Sequence, residues 1–117
     1  MRKKNFKGKC EKRSLPKFPQ GCRTFDDVQY EAANYLIDQE DIVEIACNVP
    51  LDGECEEYMS DFVCKKENGD LAIYECEKRD YLTKPMSAKL LEMSRQYWLK
   101  RGVNDFNIIV EERRGEE

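Results

Sequence analysis

An α/β domain, with a mixed sheet flanked by helices in the order α-β-β-β-α-β, is the fold class this sequence predicts. Three observations lead there. Two strand-like runs between Tyr58 and Glu77 are joined by Asn68-Gly69, residues that tolerate positive φ and suit a hairpin turn. Helical periodicity brackets the hairpin, once behind residue 24 and again over Ser87 to Arg101. A last apolar run, Asn107 to Val110, follows the second helix, so that strand, helix and strand read as a natural crossover.

The chain opens on a basic segment. Residues 1–23 carry Arg2, Lys3, Lys4, Lys7, Lys9, Lys12, Arg13, Lys17 and Arg23 against a single acid, Glu11. The whole chain of 117 residues is −4 and this segment is +8, so the remainder is −12. Pro16, Pro19, Gly8 and Gly21 argue against a helix, and the composition predicts a flexible basic arm. Such arms bind phosphate backbones without reading sequence, which makes Arg2, Lys3, Lys4, Lys7, Lys9, Lys12, Arg13 and Lys17 the expected DNA-binding residues. A solubilising tail, or an intramolecular partner for the acidic body, is the competing reading.

Residues 24–110 form the predicted domain, ahead of a polar tail at 111–117. Thr24 can cap a first helix, Phe25 can staple it, and Asp26 and Asp27 complement its positive end. That helix runs to about Asp38 with Val28, Ala32, Tyr35 and Leu36 as its apolar face and Glu31 at the margin. The stretch from Asp41 to Leu51 alternates apolar residues at 43, 45, 47 and 49, as in a half-buried strand that Pro50 ends. An acidic loop, Asp52 to Glu57, leads into the hairpin. In the second helix Leu90, Leu91, Met93, Tyr97 and Trp98 define a broad buried face, and Gly102 stops it.

Several classes are disfavoured. The chain is long enough for one modest core. No apolar run reaches spanning length and no apolar segment follows the basic N-terminus, so a soluble cytoplasmic protein without membrane association is expected. The six cysteines show no C-x₂-C pair and the chain has no histidine, which removes the usual zinc spacings and the usual activator of a catalytic thiol. Cys47, Cys64 and Cys76 fall in strand-like runs, where reduced thiols serve as small hydrophobes.

Acids mark the outer ends of the hairpin. Asp61 opens the first strand and Glu75 and Glu77 close the second, where alternation puts both glutamates on one face. Carboxylates gathered in this way suit Mg²⁺ or Mn²⁺, and phosphodiester hydrolysis is the corresponding chemistry. Solvated strand-end charge is the alternative that spacing alone leaves open.

The linked order of these pieces resembles the PD-(D/E)XK nuclease fold, the restriction-endonuclease-like core. Three stretches are similar to the N-terminal catalytic domain of TnsA, the endonuclease subunit of heteromeric transposases: D-I-V-E-I-A-C-N-V-P-L at 41–51, Y-M-S-D-F at 58–62 leading to I-Y-E-C-E-K at 73–78, and the run from Lys89 to Val110. The resemblance implies a metal-dependent DNA endonuclease from a mobile element or phage. In it Asp61 and Glu75 match the acidic metal ligands. Glu31 is the choice for the acid on the first helix, with Gln29 as the alternative occupant. Glu77 stands where the family usually has lysine and would orient or deprotonate the attacking water. Lys78, Lys84 or Lys89 would be the substitute cation. DNA is the expected partner, with transposition or recombination proteins and a second copy of the chain as further candidates. A catalytically inactive accessory protein of the same fold, binding DNA or a protein partner, is the other function considered.

Overall fold

A computed structural model describes residues 10–51 and 55–111, the stretch 55–57 as backbone. Of the expected DNA-binding residues, Arg2, Lys3, Lys4, Lys7 and Lys9 lie outside the described residues, as do Asp52, Gly53 and Glu54 of the acidic loop, whose remainder begins a strand, and the tail from 112 onward.

Among the described residues the elements are β1 (Glu11–Arg13), β2 (Cys22–Thr24), α1 (Asp27–Ile37), β3 (Ile42–Leu51), β4 (Cys55–Lys66), β5 (Leu71–Glu77), a 3-10 turn (Arg79–Tyr81), α2 (Pro85–Lys100) and β6 (Asp105–Val110). The main sheet has the order β3-β4-β5-β6. Its first three strands form an antiparallel meander, and β6 returns parallel to β5 after α2. This is a mixed sheet flanked by helices, built as an α/β fold.

Each helix covers one face. Val28, Ala32, Ala33 and Leu36 of α1 pack with Ile42, Ile45, Phe62, Cys64, Ala72 and Cys76. Leu90, Tyr97 and Trp98 of α2 pack with Leu51, Tyr58, Ile73 and Val103. Apolar area removed from water at about 25 cal/mol per Å² is the main stabilising term for both layers. The hairpin turn is as expected: Gly69 has φ +94°, a conformation open to glycine at little cost.

Local details depart from the sequence reading. Asp26 caps α1, accepting from the Gln29 amide, while Thr24 is buried at the end of β2. Tyr35 is 52% exposed, and Gln29 and Ala33 take the buried positions of that helix. Val43 is 46% exposed because the β3–β4 register shifts between Ile42 and Glu44, which breaks strict alternation. Pro50 lies inside β3 without ending it, as an edge strand allows.

The larger correction concerns the basic arm. Within residues 10–23 the segment is folded, and β1 and β2 make a small antiparallel sheet. Two apolar anchors fix it: Cys22 is buried, and Phe18 packs edge-on against Phe62 with ring centroids 6.2 Å apart. Arg13 is used internally, donating to Asn34 Oδ1 at 2.8 Å and to the Tyr30 carbonyl while stacking 3.6 Å from the Tyr30 ring centroid. Lys17 Nζ donates to the Gln39 carbonyl at 2.7 Å. Both were expected DNA contacts, and both are instead engaged with the end or flank of α1. Lys12 remains exposed.

Candidate acidic site

The strands β4 and β5 stop pairing in the ordinary way at Asp61. Regular partners run from Lys65 and Leu71 to Phe62 and Tyr74. Beyond that point side chains take over from the backbone ladder: the Asp61 amide donates to Glu75 Oε1 at 3.0 Å, and the Cys76 amide donates to Asp61 Oδ2 at 2.8 Å. Backbone donors buried by the splay are thereby satisfied.

Facing changes at the same place. Phe62 and Cys64 belong to the α1 side of the sheet, whereas Tyr58 belongs to the α2 side and Ser60 bonds to α2, so alternation inverts at Asp61. Across β3 the register places Cys47 against Phe62 and Val49 against Ser60, which leaves Asn48 opposite Asp61. Asn48 has φ +54°, a left-handed conformation that asparagine tolerates better than most residues. Its side chain ties three elements: Nδ2 donates to the Arg23 carbonyl at 3.0 Å, and Oδ1 accepts from Gln29 Nε2 at 3.0 Å.

Gln29 is the α1 residue that reaches the site. Its Nε2 also donates to Asp61 Oδ1, and its Oε1 accepts from the Phe25 amide at 2.7 Å. Glu31 is exposed and lines a groove of about 630 Å³ between α1 and the end of β6, with Asp27, Asn34, Tyr35, Asp38 and Glu111. Two helical positions separate Gln29 from Glu31, a rotation of about 200°, so the two cannot share a face. The expected helix acid is therefore placed away from Asp61, and the alternative occupant is the one brought in.

Glu75 is held from the other side. Its Oε2 accepts from Ser60 Oγ and from Ser94 Oγ, each at 2.7 Å, and Trp98 Nε1 donates to Ser60 Oγ at 3.0 Å. Asp61, Glu75 and Glu77 are 1%, 0% and 2% exposed, which separates them from solvated strand-end charge. Tyr58 reports how near they are: burial, and then the charges of Glu75, Asp61 and Glu77, push its phenol up. All three acids act electrostatically on this one buried phenol at the end of β4 and β5.

The candidate lysines are not buried with these acids. Lys78 and Lys89 are exposed, and Lys84, exposed just before α2, sits 5.1 Å from the Tyr81 ring centroid. Sequence reasoning did not single out Asn48, Ser60 or Ser94, and it read Trp98 only as part of the apolar face of α2. A signal existed for one of them: Ser87 and Ser94, seven residues apart, fall on the otherwise apolar face of α2, where a hydroxyl calls for a partner.

Among the described residues, no group of three or more Asp, Glu, Cys or His side chains stands in an arrangement that could hold a metal ion. As the side chains are placed, Asp61 and Glu75 are held by amide and hydroxyl donors. No helix is long and apolar enough to cross a membrane among the described residues. The chain matches no protein-family model and no curated protein.

Proposed function

We propose that this chain is a metal-dependent DNA endonuclease of the PD-(D/E)XK type, similar to the TnsA catalytic domain. The observation that carries the reading is the pair of crossed bonds between neighbouring strands, Asp61 amide to Glu75 carboxylate and Cys76 amide to Asp61 carboxylate, which holds two buried acids at one place, with Glu77 buried two residues on. The order of elements around them, with α1 ahead of the meander and α2 leading to a parallel β6, supports the same fold type. Buried acids packed together need compensation by donors, protons or a cation.

The donor chemistry fits Mg²⁺ or Mn²⁺, which prefer hard carboxylate oxygens. Asp61 and Glu75 would hold the ion, and Glu77 lies next along the same strand face. Such an ion, when bound, polarises a phosphate and lowers the pKa of coordinated water. The chain itself supplies orientation. Ser60, Ser94 and Trp98 fix the Glu75 carboxylate, and Gln29 and the Cys76 amide fix Asp61. Glu77, in the place of the commoner lysine, can accept a proton from water where lysine would donate charge. The DNA backbone would be held by the basic residues at 2–9 together with Lys12.

Cleavage of supercoiled DNA with Mg²⁺ or Mn²⁺ tests the reading. Asp61→Ala should remove nicking while circular dichroism stays native, and equal nicking by the variant would reject the assigned site. Glu77→Lys sorts the roles further: lost activity marks Glu77 as a working base, and a gain marks a weakened centre.

The second reading is a non-cleaving accessory protein of the same fold. It is favoured by the internal bonding of both acids, which already gives them a structural task at the splayed strand ends. DNA retention without nicking in any metal, and no metal-induced rise in melting temperature, would select it.

A further inference from the structure

Two cysteines meet where the β1–β2 hairpin docks on the sheet. Cys22, in β2, is buried, and Cys47, in β3, is partly exposed; both are free thiols. The Arg23 amide donates to Cys47 Sγ at 3.5 Å, and Cys47 Sγ donates to the Gly21 carbonyl across 3.7 Å. Cys47 is therefore gripped by both chain neighbours of Cys22. Cys22 thus sits between the two backbone groups that hold the Cys47 sulfur, and the two thiols shift each other's titration in opposite directions. We propose that Cys22 and Cys47 form a redox-active dithiol site, which small-molecule disulfides of the glutathione class convert to an internal disulfide.

Geometry sets the order of events. Cys47 is the less buried member and attacks first: its thiolate bonds to one sulfur of the small disulfide, whose S–S bond breaks and releases one thiolate. Cys22 then gives up its proton and attacks the Cys47 sulfur, expelling the second small thiolate. Two protein thiols are oxidised, one disulfide is reduced to two thiols, and the two protons end on those thiols. The environment favours this division of labour. The neighbouring Cys22 thiol, working against desolvation and helped by the Arg23 amide, lowers the Cys47 thiol, while Cys47 and burial raise Cys22. Once Cys47 is in a mixed disulfide, it no longer carries the charge that holds the Cys22 proton. Cys64 offers an internal contrast, since burial pushes its thiol up to about 12.

The bond would staple β2 to β3 beside Asn48, the residue that bonds both Arg23 and Gln29. The site is independent of whether the acids cleave DNA.

The test uses the full chain treated with oxidised glutathione, alkylated and mapped by peptide mass spectrometry. A Cys22–Cys47 linked peptide should dominate, with a melting temperature raised by at least about 5 °C. Cys22→Ser should stop at a glutathione adduct on Cys47, and Cys47→Ser should leave Cys22 unmodified. Should the serine variants not fold, iodoacetamide labelling of the unaltered protein at pH 7 decides: Cys47 should react roughly tenfold faster than Cys10 or Cys64. Equal labelling rates, or linkage to any other cysteine, would overturn the proposal.

Discussion

Gln29 is the residue on which the acidic pocket turns. One amide donates to Asp61 and to Asn48 while its oxygen accepts from the Phe25 amide, so a neutral side chain joins α1, β3 and β4. In a carboxylate site read for a cation, this is the position where a third acid would enter. Gln29→Glu replaces a donor with a charge beside buried Asp61. The variant should lose about 1–3 kcal/mol without metal, the usual cost of stranding buried polar groups. Saturating Mg²⁺ or Mn²⁺ should then recover most of that loss, because binding to the folded state alone raises its stability. Thermal unfolding with and without metal reads both halves. A variant equally unstable in either condition would show that the pocket does not take up cations. Sequence alone did not separate Gln29 from Glu31, since both lie near the apolar stripe and only the rotation of α1 against the sheet decides which one turns inward.

At the scale of elements, legibility followed the range of the interactions. The β3–β4–β5 meander and α2 could be read because turn residues such as Asn68-Gly69 and the spacing of Leu90, Leu91, Tyr97 and Trp98 are local signals. The β1–β2 hairpin could not. Its strands have three residues each, it is rich in Pro and cations, and its order depends on Phe18 meeting Phe62 and on Cys22 meeting the sheet, contacts far apart in sequence. The strand-end positions of Asp61, Glu75 and Glu77 could be read because the hairpin turn fixes which strand ends lie together, whereas the inversion of facing at Asp61 could not. The hydroxyl partners of Glu75, Ser60 on β4 and Ser94 on α2, and the Trp98 indole that bonds Ser60 were not legible, because a helix register against a sheet has no short-range signature. Phe18→Ala tests the hairpin's anchorage. It should cost about 3–5 kcal/mol if the hairpin is part of one cooperative unit. A urea transition that keeps its midpoint, or a hairpin that becomes protease-sensitive while the body melts unchanged, would show that β1 and β2 are only appended.

Charge organises the molecule as a whole. Residues beyond 23 total −12, so the body repels a phosphate backbone, and the folded hairpin spends Arg13 and Lys17 on internal carbonyl and amide oxygens. Five cations, Arg2, Lys3, Lys4, Lys7 and Lys9, lie within residues 1–9. If DNA is the partner, these residues carry most of the counterion release, and removing them isolates their share. Each phosphate neutralised contributes about 0.9 to the slope of log affinity against log salt on duplex DNA. Deleting residues 1–9 should therefore flatten that slope by up to about 4.5, while leaving metal-induced stabilisation of the acidic pocket unchanged. Binding and chemistry come apart in this experiment because the cations and the carboxylates occupy different parts of the chain. A truncated protein with the full-length slope would mean that the body holds DNA through a cationic surface of its own. Loss of metal stabilisation together with the slope would instead mean that the first nine residues help to build the pocket.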